Sequence, residues 1–375
     1  MGRRKALRAA VVGCGRVGFL LERDPLRPKP CTHAGGIVSD RDFRLTAGCD
    51  IRPDRLAEFG KAYSLGRAHL YPTVDALLSS EPLDVLSIAT WTESHDTIVH
   101  KACRSGVRAI ICEKPMAVTI SRARSMLAAA RRHKTVLLIN HCRRWFPEYR
   151  AARQAILDRR YGQLRHIQGC VLTSFGLSEG DWHSVLDKSG GGPLMHDGTH
   201  LLDIVFYLTG LKPLWVECRI ERPRDSSIEH SAVGRMMLTS QSAEPGIEFC
   251  FEAGGRRRYF HFEVELWFDA GRLTIGNGIL RAESSIDSRR YSGFRDLSSD
   301  PDFDWGTGCG TAEQVCMREL SAWFDGGARP QNTGEEAFIS QEAIFAAYES
   351  AVRSRRIHFP YRPTLAQPLR RGRSR

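Results

Sequence analysis

The sequence predicts an α/β protein with an N-terminal parallel sheet, followed by an α+β domain with a large mixed or antiparallel sheet. Three observations support this fold class. Apolar runs alternate with helical segments up to about residue 140, strand-like runs then follow one another directly, and 375 residues suit two domains. Alternating strands and helices form parallel sheets that are covered on both faces, whereas consecutive strands pair antiparallel.

Five short apolar runs in the N-terminal part are typical of buried strands, and helical patterns separate them. The strands are predicted over 7–12, 43–49, 84–89, 107–112 and 135–139. Helices are predicted directly after the first strand and over 53–63, 95–105 and 119–133.

The C-terminal part begins with a helix near 148–159 and a strand over 164–175. A helix is predicted after three glycines and through Leu208, and two late helices over 311–325 and 334–353. Between these helices lie strand-like runs over 215–220, 232–239, 247–251, 259–268 and 272–275, then a polar surface loop over 284–309. The predicted domains are 1–143 and 144–363, with a basic, disordered tail over 364–375.

Composition excludes several classes of protein. No run approaches the roughly 18 apolar residues of a membrane span, and the basic N-terminus lacks the pattern of a signal peptide. Eleven cysteines without a C-x-x-C pair are typical of a reducing cytoplasm, which is the predicted location. The net charge of +11 is concentrated at the two ends, and since no nucleic-acid-binding motif accompanies it, we expect neither a nucleic-acid nor a membrane partner.

A glycine-rich loop joins the first strand to the following segment. Residues 13–18 read Gly-Cys-Gly-Arg-Val-Gly, the Gly-x-Gly-x-x-Gly pattern of a dinucleotide-binding Rossmann domain. The first glycine permits the tight turn, the second lets the backbone approach a pyrophosphate, and the third allows close helix packing. Gly13, Cys14, Gly15, Arg16, Val17 and Gly18 are therefore predicted to bind the cofactor; the alternative is a glycine turn in another kind of α/β protein.

An acidic residue ends the second strand. Asp50 stands where a carboxylate accepts hydrogen bonds from the adenosine ribose, which favours NAD. A Pro-rich insertion over 24–30 lengthens the usual spacing from the glycine loop. Ile51 and Arg52 follow, and Arg52 leaves NADP open as the cofactor because it could receive a 2′-phosphate.

Polar residues follow the next strands at the edge where ligands bind in parallel sheets. Thr90, Trp91 and His95 follow the third strand and are predicted to face the cofactor. Glu113-Lys114-Pro115 ends the fourth strand, where a lysine can stabilise a developing alkoxide. The position of Lys114 in the sequence is equally consistent with a solvated lysine in a turn.

A second cluster lies in the C-terminal part, where Gly190-Gly191-Gly192 precedes a helical pattern with His196, Asp197, His200 and Asp203. His196, His200 and Asp203 would share one face of a continuous helix, and neutral histidine is a suitable general base. His-Asp-x-x-His also resembles the His-Glu-x-x-His of zinc proteases, but no third ligand is evident, so no metal is predicted. A purely structural histidine pair is the other alternative.

Together these motifs resemble the glucose–fructose oxidoreductase, inositol dehydrogenase and MocA family (Gfo/Idh/MocA) over nearly the whole chain. The resemblance rests on the glycine loop, Thr90 with His95, Glu113-Lys114-Pro115, the triple glycine with His200, and the late segment Thr333-Gly334-Glu335-Glu336. It implies an open-faced C-terminal sheet that builds a homodimer or homotetramer. It also implies an NAD(P)-dependent oxidoreductase that moves hydride to or from a sugar, cyclitol or nucleotide-linked sugar.

The resemblance also assigns roles to individual residues. His200 would be the general acid/base, and Lys114 would contact substrate and nicotinamide ribose. The support of His200 stays open at this point: either His196 joins the proton relay, or Asp197 reaches in through irregular backbone near Gly198. Glu113 joins the cofactor contacts, and the predicted substrate contacts are Lys114, Arg144, Trp182, Asp197 and His200. The chain departs from the family at His196, where an aspartate is common and Asp197 stands beside it instead, and at Trp91, where proline is common.

Two alternative functions remain open at this point. Some relatives use NAD transiently to cleave glycosides, and they need nearly the same residues. Others are non-catalytic NAD(P)-binding regulators; retention of Lys114 and His200 argues against that class, and His196 argues slightly for it.

Overall fold

Six strands form the parallel sheet, as seen in a computed structural model that describes residues 5–174, 184–240, 246–306, 308 and 310–370. They are β1 (Leu7–Val12), β2 (Phe43–Cys49), β3 (Leu70–Tyr71), β4 (Val85–Ile88), β5 (Ala109–Cys112) and β6 (Val136–Ile139). Their spatial order is β3-β2-β1-β4-β5-β6, and all neighbouring pairs are parallel. The predicted parallel sheet is confirmed, with β3 as an additional short edge strand.

Helices cover both faces of this sheet because its strands carry apolar side chains on both sides. Alternate residues of each strand enter different cores: Ala10 and Val12 of β1 lie in one, Ala9 and Val11 in the other. The helices are α1 (His33–Ser39), α2 (Pro53–Ala62), α3 (Val74–Ser80), α4 (His95–Arg104) and α5 (Ile120–Arg132). Each fully buried Val, Leu or Ile contributes about 1.5–3 kcal/mol to such cores.

The segment after the glycine loop differs from the predicted helix. It forms turns and a short 3-10 helix (Leu20–Arg23), and the first α-helix begins only at His33. The Pro-rich insertion separates the two because proline lacks the N–H group that a helix interior needs. Thr32 then caps α1, its hydroxyl accepting a hydrogen bond from the Gly35 N–H at 3.1 Å.

A nine-stranded mixed sheet dominates the C-terminal part. Its strands are β7 (Leu164–Leu172), β8 (Lys212–Glu221), β9 (Ser231–Thr239), β10 (Ile247–Gly254), β11 (His261–Phe268), β12 (Gly271–Gly276), β13 (Ile279–Asp287), β14 (Arg295–Ser299) and β15 (Ile357–His358). The order is β14-β13-β12-β11-β7-β10-β9-β8-β15, and β7 and β10 are parallel while the other pairs are antiparallel. The predicted mixed sheet is confirmed.

The remaining helices are α6 (Pro147–Leu157), α7 (Leu186–Ser189), α8 (Pro193–His196), α9 (Gly198–Thr209), α10 (Ala312–Phe324) and α11 (Gly334–Arg353). The helix predicted through Leu208 is thus two helices, α8 and α9, separated by Asp197. The surface loop predicted over 284–309 is wrong in part, because β13 and β14 pair within it. Both strands are rich in polar residues that follow one another directly, so the sequence of this edge hairpin resembles that of a loop.

The chain forms two compact units, residues 1–146 with 309–338, and residues 147–308 with 339–375. This differs from the predicted division, which placed 144–363 in one domain. The late segment belongs to the first unit because Val315, Met317 and Leu320 of α10 lie in one of its two cores.

The predicted disordered tail is wrong for residues 364–370. Leu369 is 1% exposed, the Thr364 amide donates to Glu349 at 3.1 Å, and Gln367 donates to the Gly190 carbonyl at 3.2 Å.

Within the described ranges, every helix is too short or too polar to span a bilayer.

Candidate active site

The glycine loop has the backbone that its sequence predicts. Gly13 has φ +94°, and a Cβ placed on it would lie 2.5 Å from the Ala89 carbonyl oxygen. A Cβ on Gly18 would lie 1.9 Å from the Gly13 carbonyl oxygen, so only glycine allows this turn to close. The space beside Gly15 is open. Among the described residues, a Cβ placed on Gly15 would have one atom within 4 Å, Nη1 of Arg55 at 3.5 Å. The loop therefore keeps a backbone cradle that fits a dinucleotide pyrophosphate.

Asp50 ties the end of β2 to the glycine loop. Its carboxylate accepts hydrogen bonds from the Cys14 N–H at 2.7 Å and the Arg52 N–H at 2.8 Å, and the residue is 8% exposed. Ile51 is 84% exposed, and Arg52 pairs with Asp54 at 2.5 Å on the surface. A carboxylate has about four lone-pair sites, so Asp50 retains acceptor capacity for a ribose after both contacts.

The phosphate cradle differs from the usual arrangement in lacking a long helix after it. The first amides of α1 are already used, because His33 N–H donates to Val17 O and Ala34 N–H to Gly18 O, both at 3.1 Å. The loop amides would hold a pyrophosphate here without a continuous helix dipole, together with the exposed Arg16 of the loop and the half-buried Arg55, whose guanidinium lies near Gly15.

Three predicted cofactor residues follow β4. Thr90 is half-buried, with its hydroxyl 2.7 Å from the Ser94 hydroxyl, and Trp91 is 47% exposed. His95 is fully buried, and its ring nitrogens face the carbonyl oxygens of Pro115 at 3.0 Å and Thr90 at 3.1 Å. Burial lowers the pKa of His95, although both carbonyls oppose this shift. His95 has no exposed surface, and its ring contacts the backbone of Thr90 and Pro115.

Lys114 lies at the carboxyl end of β5, half-buried, in a turn whose Lys114–Pro115 peptide is cis. Its neighbour Glu113 is 8% exposed and accepts hydrogen bonds from His33 at 2.8 Å and Asn140 at 2.5 Å. Burial raises the pKa of Glu113, but these donors and the charge of Lys114 outweigh it and lower the pKa to about 2. Glu113 is thus a buried carboxylate that is ionised near neutral pH, next in sequence to Lys114, with its oxygens turned to protein partners.

Arg144 does not suit its predicted substrate contact. The residue is 3% exposed, and its guanidinium lies 3.2 Å from Glu336. Glu336 also accepts from the Thr333 amide at 3.0 Å at the start of α11. The structure therefore gives Arg144 a role in joining the short helix Cys142–Trp145 to the beginning of α11.

The triple glycine of the second unit packs against a buried glutamate. Glu229 is fully buried and accepts from the Gly192 amide at 2.8 Å, the Leu194 amide at 3.0 Å and the Tyr348 hydroxyl at 2.8 Å. A Cβ on Gly191 would lie 2.3 Å from the Tyr348 hydroxyl, and one on Gly192 would lie 2.0 Å from the Glu229 carbonyl oxygen. These glycines are needed for close packing where α8 begins.

The predicted acid/base residues lie just beyond this turn. His196 ends α8 and is 5% exposed, whereas Asp197 and His200 are half-buried. The backbone amide of His200 donates to the Asp197 carbonyl at 3.1 Å. Asp203 is buried, and the Ser340 hydroxyl donates to its carboxylate at 3.4 Å. Because the helix is interrupted at Asp197, His196 and His200 belong to different helices, while His200 and Asp203 share α9. Trp182 lies outside the described residues.

The zinc alternative finds no support in the described part of the chain. No three His, Cys, Asp or Glu side chains come together there as metal ligands would.

Sequence reasoning missed three buried polar residues that organise these sites: His33, Glu229 and Asn332. His33 and Glu229 bind partners 80 and 37 residues away, and no local pattern signals such a pairing. Asn332 is fully buried with φ +69°; its side chain donates to the His141 carbonyl, and its own carbonyl accepts from Ile139, each at 2.9 Å. The Asn-Thr-Gly turn ahead of α11 was a usable signal for Asn332, since Asn tolerates this backbone.

The pKa of Glu229 predicts a pH dependence of stability. Burial raises it from 4.5 to about 7, with the three hydrogen-bond donors opposing the rise. Because its pKa is raised in the folded state, Glu229 contributes its full stabilisation below pH 4.5, where it is protonated in both the folded and the unfolded chain. This contribution to the free energy of unfolding is lost as the pH rises through about 7. The shift corresponds to about 3 kcal/mol. Glu113, with its lowered pKa, loses its contribution only below pH 4.5 and does not overlap this window.

Urea unfolding of the wild type and of Glu229→Gln between pH 5 and 8 measures this effect. We expect the wild type to lose free energy of unfolding relative to the variant as pH rises from 5 to 7. The variant itself is less stable at low pH, because its amide group faces a backbone donor. Parallel pH dependence of the two proteins would contradict the assignment.

Comparisons with known proteins agree with this geometry. Residues 7–141 match the Gfo/Idh/MocA oxidoreductase family with its NAD-binding Rossmann fold, and residues 149–274 match a Gfo/Idh/MocA C-terminal domain. D-apiose dehydrogenase of Paraburkholderia graminis is 27% identical over 94% of this chain and 90% of its own. 1,5-Anhydro-D-fructose reductase of Ensifer adhaerens is 31% identical over 79% of this chain and 86% of its own.

The fold is also that of solved structures. The WlbA dehydrogenase from Bordetella pertussis, crystallised with NADH and UDP-GlcNAcA, superposes with a TM-score of 0.77 at 18% identity, covering 96% of this chain and 99% of that one. From the two family matches and the long alignment at 31% identity, the chain belongs to the Gfo/Idh/MocA oxidoreductase family, with an NAD-binding Rossmann domain at its N-terminus.

Proposed function

We propose that the chain is an NAD(P)-dependent oxidoreductase acting on a CH–OH group of a sugar, cyclitol or nucleotide-linked sugar. The observation that carries this proposal is Lys114, half-buried at the carboxyl end of β5 in the same sheet as the open glycine cradle. The names of the relatives support the substrate class, since they include a sugar dehydrogenase and an anhydrosugar reductase.

The proposed roles follow from the chemistry of each side chain. When bound, the nicotinamide supplies the hydride acceptor or donor. The Lys114 ammonium hydrogen-bonds the reacting oxygen and stabilises the negative charge that develops there. His200 exchanges the hydroxyl proton as general acid/base, and it is the better placed histidine because it is half-buried while His196 is 5% exposed. His196 and Asp197 support His200 at the junction of α8 and α9.

The test is turnover of the purified protein on a panel of aldoses, cyclitols and UDP-sugars, followed by NADH absorbance. We expect net NADH formation with at least one member. Glycoside cleavage without net NADH would favour the transient-oxidation alternative. A protein that binds NAD and a partner chain but turns over nothing would favour a regulator.

Asp50 leads us to expect NAD as the preferred cofactor. NAD at about 100 times its Kd should add about 2.7 kcal/mol to the free energy of unfolding, visible as a thermal shift. Asp50→Ala should weaken NAD binding more than NADP binding, because the 2′-phosphate repels a carboxylate. Arg52→Ala is the matched control and should affect only NADP. A larger thermal shift with NADP than with NAD in the wild type would contradict the expected preference.

We also propose that copies of the chain assemble as a homodimer or homotetramer through the second sheet. Side chains on one face of β9 to β12 are buried, whereas those on the other, apart from the buried Thr274, are half-buried or exposed and include members of cross-strand ion pairs. Arg235–Glu217 at 2.8 Å and Arg272–Glu283 at 2.6 Å are examples. Sedimentation velocity at low and high salt measures the oligomeric state and tests this proposal. The cytoplasmic location stays a prediction.

A further inference from the structure

A buried hydrogen-bonded chain of side chains ends at the residue before Lys114. The His33 ring contacts the Ser87 hydroxyl through Nδ1 and lies 2.8 Å from Oε1 of Glu113 through Nε2. Asn140 donates to the same carboxylate oxygen at 2.5 Å. Ser87 is 1% exposed, and His33 and Glu113 are each 8% exposed.

The order serine, histidine, acid is also that of a hydrolytic triad, but here it cannot attack a substrate. Ser87 lies inside β4 between two paired strands and is almost fully buried. A nucleophile must reach the substrate atom within about 3–3.5 Å. The cluster therefore has a positional role, and the group it positions is at its acidic end.

Both neighbours of Lys114 are anchored. On one side the Glu113 side chain is held by His33 and Asn140, and its amide donates to the Ile88 carbonyl at 2.9 Å. On the other side the Pro115 carbonyl faces the fully buried His95 ring at 3.0 Å. The Lys114 backbone is thus fixed between a buried carboxylate and a buried histidine.

The carboxylate determines the proton position on His33. Glu113 is ionised because its pKa is lowered to about 2, burial being outweighed by its donors and by Lys114. An ionised carboxylate only accepts, so Nε2 of His33 carries the proton and donates it to Glu113. The same negative charge stands next in sequence to the Lys114 ammonium.

We propose that His33 is a positioning residue for the reaction: by holding the Glu113 carboxylate in place, it fixes the Lys114 turn and keeps a negative charge beside the lysine. The inference rests on the proposed function, since it assigns the purpose of the cluster to Lys114. His33 reaches this place because the Pro-rich insertion delivers it at the start of α1.

Two isosteric-type substitutions separate this role from simple packing. His33→Gln places an amide nitrogen near the position of Nε2 and keeps a donor to Glu113. His33→Asn reaches only the position of Nδ1, so it keeps the Ser87 contact and loses Glu113. We expect kcat to fall about tenfold or more in His33→Asn and by less than about threefold in His33→Gln, with NAD affinity nearly unchanged in both.

Equal losses of kcat in the two variants, or a loss in His33→Asn explained wholly by weaker NAD binding, would overturn the proposal. A readout independent of turnover is the long-range 1H–15N spectrum of histidine-labelled protein without cofactor. We expect the His33 proton on Nε2, and a proton on Nδ1 alone would overturn the proposal. If the wild type turns over no substrate, the proposed function fails, while the spectrum still decides whether His33 holds Glu113.

Discussion

Lys114→Met is expected to lower kcat by a factor of about 10² or more, while NAD binding weakens far less. Methionine keeps the length and apolar stem of lysine, so the half-buried turn at the end of β5 can pack as before. What is lost is the ammonium and its hydrogen bond to the reacting oxygen. That interaction is strongest when negative charge develops on the oxygen, so kcat should fall together with kcat/KM.

Stopped-flow measurement of NADH formation and equilibrium titration of NAD provide the two numbers. Lys101→Met is the matched control, because Lys101 lies on the surface of α4 and pairs with the exposed Asp75 at 2.6 Å. We expect this control to behave as the wild type. Unchanged turnover in Lys114→Met would remove Lys114 from the mechanism, and a parallel collapse of NAD affinity would reduce it to a cofactor contact.

The positions of the candidate cofactor residues on the Rossmann sheet were predictable because the sequence signals for them are local. Gly13, Gly18 and Asp50 lie at the ends of β1 and β2, and the strand pattern alone places them at one edge of the sheet. Their contacts follow from backbone geometry, as the Cys14 amide bonded to Asp50 illustrates. The ends of β4 and β5 bring Thr90 and Lys114 to the same edge by the same rule.

Residues whose contacts are distant in sequence were not predictable. Glu113 was assigned to the cofactor from its position after β5, but His33, 80 residues earlier, and Asn140 direct its carboxylate into the interior. The surroundings of His95 were not predictable for a similar reason, since its ring is fully buried and contacts the carbonyls of Pro115 and Thr90. Periodicity predicts which face of a strand or helix is buried, but it does not predict which polar groups meet in the interior of the domain.

The histidine segment shows a different limit. A continuous helix would have aligned His196, His200 and Asp203 at intervals of four and three residues. The Glu229 carboxylate instead caps α8 through the Gly192 and Leu194 amides, and a new helix starts after Asp197. The departure from the family aspartate therefore falls at a helix junction, where residue spacing no longer fixes which side chains share a face.

This interruption leads to the last prediction, on the division of labour between the two histidines. His200→Gln should lower kcat by about 10²–10³ and remove one limb of the pH profile of kcat/KM, because glutamine cannot exchange a proton in this range. His196→Gln should lower kcat less and should keep that limb. It should also cost more stability, since His196 is 5% exposed and His200 is half-buried.

Initial rates between pH 5 and 10, with Tm measured for each variant, separate these outcomes. His100→Gln is the matched histidine control, because His100 lies on α4 and its ring contacts the Ser125 hydroxyl at 2.8 Å in an exposed position. If His196→Gln loses this limb of the pH profile and His200→Gln keeps it, the general acid/base is His196 at the end of α8 and not His200 in α9. If neither variant changes the profile, the proton passes through a group other than these two, and the assignment of both histidines fails.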